Sequence, residues 1–251
     1  MHRSPITILV ALFLAITPAS SAETITVAVA ANFAPTLRQV SARFEADTGV
    51  SVRAMVGSTG KLYAQILHGA PVDVFLAADV ERPQQIEEKG LAVLNTRFTY
   101  ATGRLVLWSN VAELIEHGTI FDDPRFRRLA IANPKTAPYG RAAMEVLQYL
   151  GSFEGNSLQL LRGENVAQAH QFVYSGNADA GFVALSLLLR TPQDSKGSSW
   201  ILPGTMHSPI RQQAVLLKRA RDNAAAVRFI AFLKSAAVKK IIIADGYLAG
   251  E

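Results

Sequence analysis

The sequence predicts an α/β protein of two lobes, each a mainly parallel sheet flanked by helices. Three observations carry that expectation. Short apolar runs of strand length alternate with segments whose apolar residues recur at helical spacing, the pattern of a sheet layered with helices. One extended stretch, Arg97 to Ser109, is longer than the strands before it and suits a crossing into a second lobe. A later stretch, Gln213 to Lys218, is placed to bring the chain back.

In order, Thr24 to Ala30 is the first buried strand, with Asn32 just beyond it. Phe33, Leu37, Val40 and Phe44 then fall at helical spacing, with Pro35 in the first turn and Gly49 past the end, residues that suit a helix start and stop. Val50, Val52, Ala54 and Val56 alternate as a second strand. Gly57-Ser58-Thr59-Gly60 follows, then a short helix with Leu62, Ile66 and Leu67 on one side, closed by Gly69. Val74 to Ala77 is a third strand, and Asp79 is placed to cap a helix ending before Gly90. Beyond the crossing strand, Leu129 to Ala132 leads through Pro138-Tyr139-Gly140 into a helix with Met144, Leu147 and Leu150 inward. Gly163 to Val166 opens a helix running through His170, and Gly181 to Leu185 is another strand. Helices from Asp222 and Ala236 pack back on the first lobe. The division implied is residues 23–102 with 212–251 in lobe 1, and residues 103–211 in lobe 2.

Residues 1–22 carry His2 and Arg3, an apolar run from Ile6 to Ile16 and a Ser20-Ser21-Ala22 ending, the features of a secretory signal cleaved after Ala22. The apolar run falls short of the roughly 20 residues that a membrane span needs. The chain has no Cys, which excludes a disulfide framework and thiolate metal sites and suits an oxidising compartment. Its formal charge of +5 is scattered rather than clustered, so nucleic-acid binding finds no support. A mild positive field raises the arrival rate of an anion.

Four loops share one design, in which a strand ends, a donor side chain or free backbone N–H follows, and a helix begins. They are Ala31-Asn32, Ser58-Thr59, Pro138-Tyr139 and Asn165-Val166, two from each lobe. First-turn N–H groups lack intrahelical partners and carry partial positive charge, so such ends attract anions. Open α/β sheets place ligands beyond the carboxyl ends of their strands, where these loops would meet. Taken singly, Ser58, Thr59 and Asn32 are also ordinary cap or turn residues, and Tyr139 could simply pack over its loop. Val166 can act only through its backbone. The residues alone therefore point to a two-lobed α/β protein with a candidate anion site.

The stretches VAVAANFAPTL, VGSTGKLYAQILHGAPVDVFLAAD, RFTYATGRLVLWS, IANPKTAPYGRAA, ENVAQAH and GNADAGFVAL run in order across the chain. Along them it resembles the periplasmic molybdate-binding proteins of ATP-driven importers. The resemblance implies the two-lobed architecture of periplasmic solute-binding proteins, with molybdate or tungstate held in the interlobe cleft and no cofactor. It implies a non-enzymatic monomer in the periplasm whose partners are the permease subunits of an ABC importer at the inner membrane. Asn32, Thr59 and the adjacent Ser58 would hold the oxyanion from lobe 1, and Tyr139 and Val166 from lobe 2, with no metal cation involved. Many members of that family carry Ser where Asn32 stands, a small residue at Tyr139 and a Tyr at Ala184; here the phenol comes from the APYG loop, and no ligand contact is assigned to Ala184. Molybdate, tungstate and sulfate are fully deprotonated at neutral pH and only accept hydrogen bonds, so a pocket of donors suits them. Phosphate keeps a proton and favours a carboxylate acceptor. Glu164, the nearest carboxylate, is expected to face solvent.

Other readings lose on spacing. Gly57-Ser58-Thr59-Gly60-Lys61 lacks the first Gly and final Ser/Thr of a phosphate-binding P-loop, having Met55 and Leu62 there. No G-x-S-x-G elbow supports a hydrolase built on Ser58 and His170. His170 is expected to pack or lie at the surface, and His68, His117 and His207 have no metal-ligand spacing. Two readings stay open: the same architecture binding sulfate or another small anion, and an enzyme on a two-lobed scaffold. The porphyrin-pathway deaminases that use such a scaffold need a Cys, which this chain lacks.

Overall fold

The computed structural model describes residues 23–115, 126–151 and 158–250. The expected signal segment and His117 lie outside the described residues. The chain begins with β1 (Thr24–Ala30), α1 (Ala34–Thr48), β2 (Ser51–Gly57), α2 (Thr59–Leu67), β3 (Val74–Leu76) and α3 (Glu81–Glu88). Helix α1 has Pro35 in its first turn and stops at Gly49, whose φ of +73° is the left-handed conformation glycine adopts freely. Its buried stripe includes the predicted Leu37, Val40 and Phe44. Asp79 sits one residue before the observed cap position of α3, Val80, yet its carboxylate still accepts the Arg82 N–H at 3.0 Å.

The single long strand expected over 97–109 is two strands in two sheets. β4 (Phe98–Gly103) lies in the first sheet, Arg104 breaks the run, and β5 (Leu105–Ser109) enters the second. There follow β6 (Arg128–Ala132), α4 (Pro138–Tyr149), β7 (Gln159–Gly163), α5 (Val166–Tyr174), β8 (Ala180–Ala184), α6 (Leu185–Leu188) and β9 (Ser198–Ile201). In α4 Leu147 is buried as expected, whereas Met144 and Leu150 are only partly so. The chain returns through β10 (Ile210–Leu216) and ends with α7 (Ala224–Leu233), α8 (Ala236–Ala244) and β11 (Leu248–Ala249).

The first sheet has the order β11-β4-β10-β3-β1-β2 and the second β7-β6-β8-β5-β9. In the first, β1, β2, β3 and β4 run one way and β10 and β11 oppose them; in the second, β5 alone opposes the rest. The reversal has a topological cause. Strands β5 and β10 each enter a lobe from the other one, so they start at the cleft, while the strands that feed helices end there. The carboxyl ends of β1, β2, β6 and β7 consequently face a common region, the setting in which open α/β sheets hold ligands. Each sheet is packed on both faces by apolar clusters, as in α1 against α7, where Phe44 and Phe229 meet edge to face at 5.1 Å.

Helix α4 starts hard against the end of β6. A Cβ at Gly140 would stand 2.2 Å from the Ala132 carbonyl oxygen, which is backbone and cannot step aside cheaply. Gly140→Ala is expected to destabilise the chain by about 1–3 kcal/mol, the usual cost of overpacking. Gly204→Ala, where nothing lies within 4 Å of the added carbon, should be close to neutral. Urea unfolding of both variants measures the difference as a shift in midpoint at constant slope.

Candidate ligand site between the lobes

Asn32, Ser58, Thr59, Tyr139 and Val166, separated by up to 134 positions in sequence, line one small cavity of about 10 Å³ where the two sheets meet. None is more than 3% exposed, so the lobes are closed over it. The closure is made by contacts between the halves: the Gly60 N–H donates to the Thr136 carbonyl at 2.8 Å, Lys61 pairs with Glu164 at 2.5 Å, and Arg141 pairs with Glu81 at 2.9 Å. Glu164 is exposed in that pair, outside the cavity, as its sequence position suggested.

Ser58 occupies the cap position of α2 but makes no capping hydrogen bond. Its Oγ and that of Thr136 are the buried side-chain atoms without a partner among the described residues, and of the two only Ser58 lines the cavity. A buried hydroxyl left unpaired costs about 1–3 kcal/mol, so its orientation toward a polar occupant is the natural account. Thr59 begins α2; its Oγ1 accepts the Ala78 N–H at 3.0 Å, which leaves its hydroxyl hydrogen to donate. On α5, Asn165 Oδ1 accepts the N–H groups of Ala167 and Gln168 at 3.0 and 3.1 Å. That cap satisfies the second and third donors of the helix and leaves the first, the Val166 N–H, with no acceptor among the described residues. Pro138 opens α4 without an N–H, so Tyr139 supplies the first backbone donor of that helix as well as its phenol. Burial holds the Tyr139 hydroxyl well above its usual pKa, so it stays protonated.

The Asn32 side chain is engaged within the protein. Its Nδ2 donates to Gln212 Oε1 at 2.9 Å and to the Tyr247 hydroxyl oxygen at 3.1 Å, while the Tyr247 O–H donates to the Asn32 carbonyl at 2.8 Å. Both amide hydrogens are thus engaged, and the backbone N–H is the donor left over. Gln212 and Tyr247 escaped the sequence reading because nothing local marks them; only the return of the chain brings them behind Asn32.

No side chain lining the cavity carries a formal charge. A wider recess beside it is lined by the carboxylates of Asp79, Glu81 and Glu145 and by the guanidinium groups of Arg141 and Arg211. His170 lies elsewhere: its ring stacks on Trp108 at 4.7 Å between centroids and its Nε2 is 2.8 Å from Thr191 Oγ1. It is a packing residue, as the sequence suggested.

Two sheets joined by crossing strands, with a small cavity at the carboxyl ends of their strands lined by buried hydroxyl and amide residues, define a two-lobed solute-binding protein. The chain belongs to the bacterial extracellular solute-binding protein family, whose pattern matches residues 25–248. It is 46% identical to the molybdate-binding protein ModA of Azotobacter vinelandii over 230 residues, 91% of each chain. To the ModA of Rhodobacter capsulatus it is 43% identical over 232 residues, 92% of this chain and 90% of that one. The fold superposes on the A. vinelandii periplasmic molybdate-binding protein with a TM-score of 0.86 at 38% identity, covering 90% of this chain and 100% of the other. The sulfate-binding protein SubI from Mycobacterium tuberculosis H37Rv superposes with a TM-score of 0.74 at 14% identity, over 90% of this chain and 87% of that one. At that identity the likeness is of fold alone.

Burial lowers the His170 pKa from 6.5 to about 4. A native pKa below the unfolded one means that the folded chain binds fewer protons between those values. Stability is therefore full above pH 6.5 and is lost as pH falls toward 4, by at most about 3 kcal/mol from this group. His170→Gln should flatten that part of the pH profile in urea unfolding while leaving anion affinity within about twofold, since the ring is not in the cavity.

Proposed function

We propose that this chain captures molybdate, and tungstate with it, in the periplasm and delivers it to the membrane subunits of an ATP-driven importer. The observation that carries the reading is the composition of the cavity: donors converge on it without a carboxylate, and Ser58 Oγ is buried there without a partner. In this reading Ser58 and Thr59 bind through their hydroxyls, Asn32 and Val166 through backbone N–H groups, and Tyr139 through its phenol. Residues 23–102 with 212–251 form one lobe and residues 103–211 the other. Both halves of the cavity come from one chain, which suits a monomer.

Neutral donors and helix ends match a dianion without burying a cation that would stay unpaired whenever the lobes open. Ser58 Oγ has no hydrogen-bond partner among the described residues, and His170 stacks on Trp108 away from the cavity.

Calorimetric titration of the chain from Glu23 tests the reading. Molybdate and tungstate should bind at least about tenfold tighter than sulfate, a gap of roughly 1.4 kcal/mol, with phosphate weakest; phosphate binding as tight as molybdate would overturn it. Tyr139→Phe should weaken molybdate by roughly 1.5–3 kcal/mol, the worth of a hydrogen bond to a charged acceptor. Val166→Ala keeps the backbone donor and should change little. Thr59→Ala should lose comparable affinity and also stability, because it strips the acceptor from the buried Ala78 N–H. Melting of the variant without ligand separates the two effects.

A further inference from the structure

We propose that Gln212, which touches no ligand, is a positioning residue that holds the Tyr139 hydroxyl as a donor and thereby sets the preference of the site for fully deprotonated oxyanions. This rests on the reading of the cavity as an oxyanion site. Gln212 is fully buried on β10, the strand by which the chain returns to the first sheet. Its Oε1 accepts from Asn32 Nδ2 at 2.9 Å and from the Tyr100 hydroxyl, shared with the Ala77 carbonyl, at 3.0 Å. With the oxygen engaged on that side, the amide turns its nitrogen to Tyr139, and Nε2 lies 3.4 Å from the phenol oxygen.

An amide nitrogen only donates, and a phenol has a single hydrogen. With an N–H directed at its oxygen, the Tyr139 hydroxyl must send its own hydrogen elsewhere. No acceptor for it exists among the described residues, and the cavity that Tyr139 lines is the remaining direction. The close approach depends on Gly103: a Cβ there would stand 2.2 Å from the Tyr139 oxygen and 2.7 Å from Gln212 Nε2. The last residue of β4 thus leaves bare backbone where the phenol and the amide meet. One amide links Asn32 and Tyr100 of the first lobe to Tyr139 of the second, and fixes which way the hydrogen points. Were the phenol free to present a lone pair, it could accept the proton of hydrogen phosphate, and discrimination against protonated anions would fall.

A double-mutant cycle tests the assignment. Gln212→Glu keeps an oxygen for Asn32 and Tyr100 but replaces the N–H with an oxygen that draws the phenol hydrogen away from the cavity. It also adds a charge that repels any anion, so its effect is measured both alone and in the Tyr139→Phe background. Molybdate and phosphate affinities are taken at neutral pH, with melting of each variant without ligand. The loss of molybdate affinity caused by Gln212→Glu should be at least tenfold larger when the phenol is present than when it is absent, and the ratio of molybdate to phosphate affinity should fall only when it is present. Gln212→Met removes the donor without adding charge and should show the same dependence on the phenol with a smaller fold-change. Equal losses in the two backgrounds for both variants would overturn the positioning role and leave the oxyanion site standing. Absence of molybdate binding by the unmutated chain would instead overturn the site reading, and this inference with it.

Discussion

The arrangement of the molecule depends on hydrogen-bond donors that have no acceptor among the described residues. Ser58 Oγ is buried and unpartnered, and the Val166 N–H is left over by a cap that satisfies its neighbours. Each such group costs about 1–3 kcal/mol when closed away from water without a partner. In the proposed reading, closure of the lobes is costly on its own and favourable around an acceptor, which would couple capture to conformation. The contacts at the rim do not change that balance much. Lys61 and Glu164 are exposed at their pair, and so are Arg141 and Glu81; pairs of this kind are worth about 0–1 kcal/mol.

The donors can converge because of strand direction. Strands that feed helices end at the cleft, and the two that carry the chain between sheets begin there, so β10 is both a structural return and the bearer of Gln212. A residue on such a strand contacts both lobes without belonging to any loop. Around it Asn32, Tyr100, Tyr139, Ser186 and Tyr247 form a buried polar network in which each hydroxyl and amide has a neighbour. Networks of this kind rigidify a site when fully satisfied, and here the network stands directly behind the cavity wall.

The likeness of fold to a sulfate-binding protein shows that two lobes and a cleft do not choose the anion. In the proposed reading, choice among dianions falls to cavity size and to the number of donors, while exclusion of protonated anions falls to the absence of an acceptor. A charged group would strengthen binding of every anion alike, and the cavity lining has none.

The sequence by itself determined the elements whose signal is local. β1 and α1 were legible from apolar spacing, Pro35 and Gly49, and the four strand-to-helix junctions from their turn residues; the family resemblance singled out five residues in those junctions, and they share one cavity. Strands β7 and β9 were not legible, since they lie at sheet edges, half exposed, and lack the alternation that burial of one face imposes. The break at Arg104 was hidden for the opposite reason: β4 and β5 are both apolar, and a change of sheet leaves no mark in hydropathy. Only the tertiary structure decided that the Asn32 amide faces Gln212 and Tyr247, and that Gly103 makes room for the Tyr139 hydroxyl. Those partners lie more than 100 positions from Asn32 or, for Gly103 and Tyr139, on a strand and a helix 36 positions apart, and hydrogen-bond direction is set by what stands within about 3 Å rather than by neighbours along the chain.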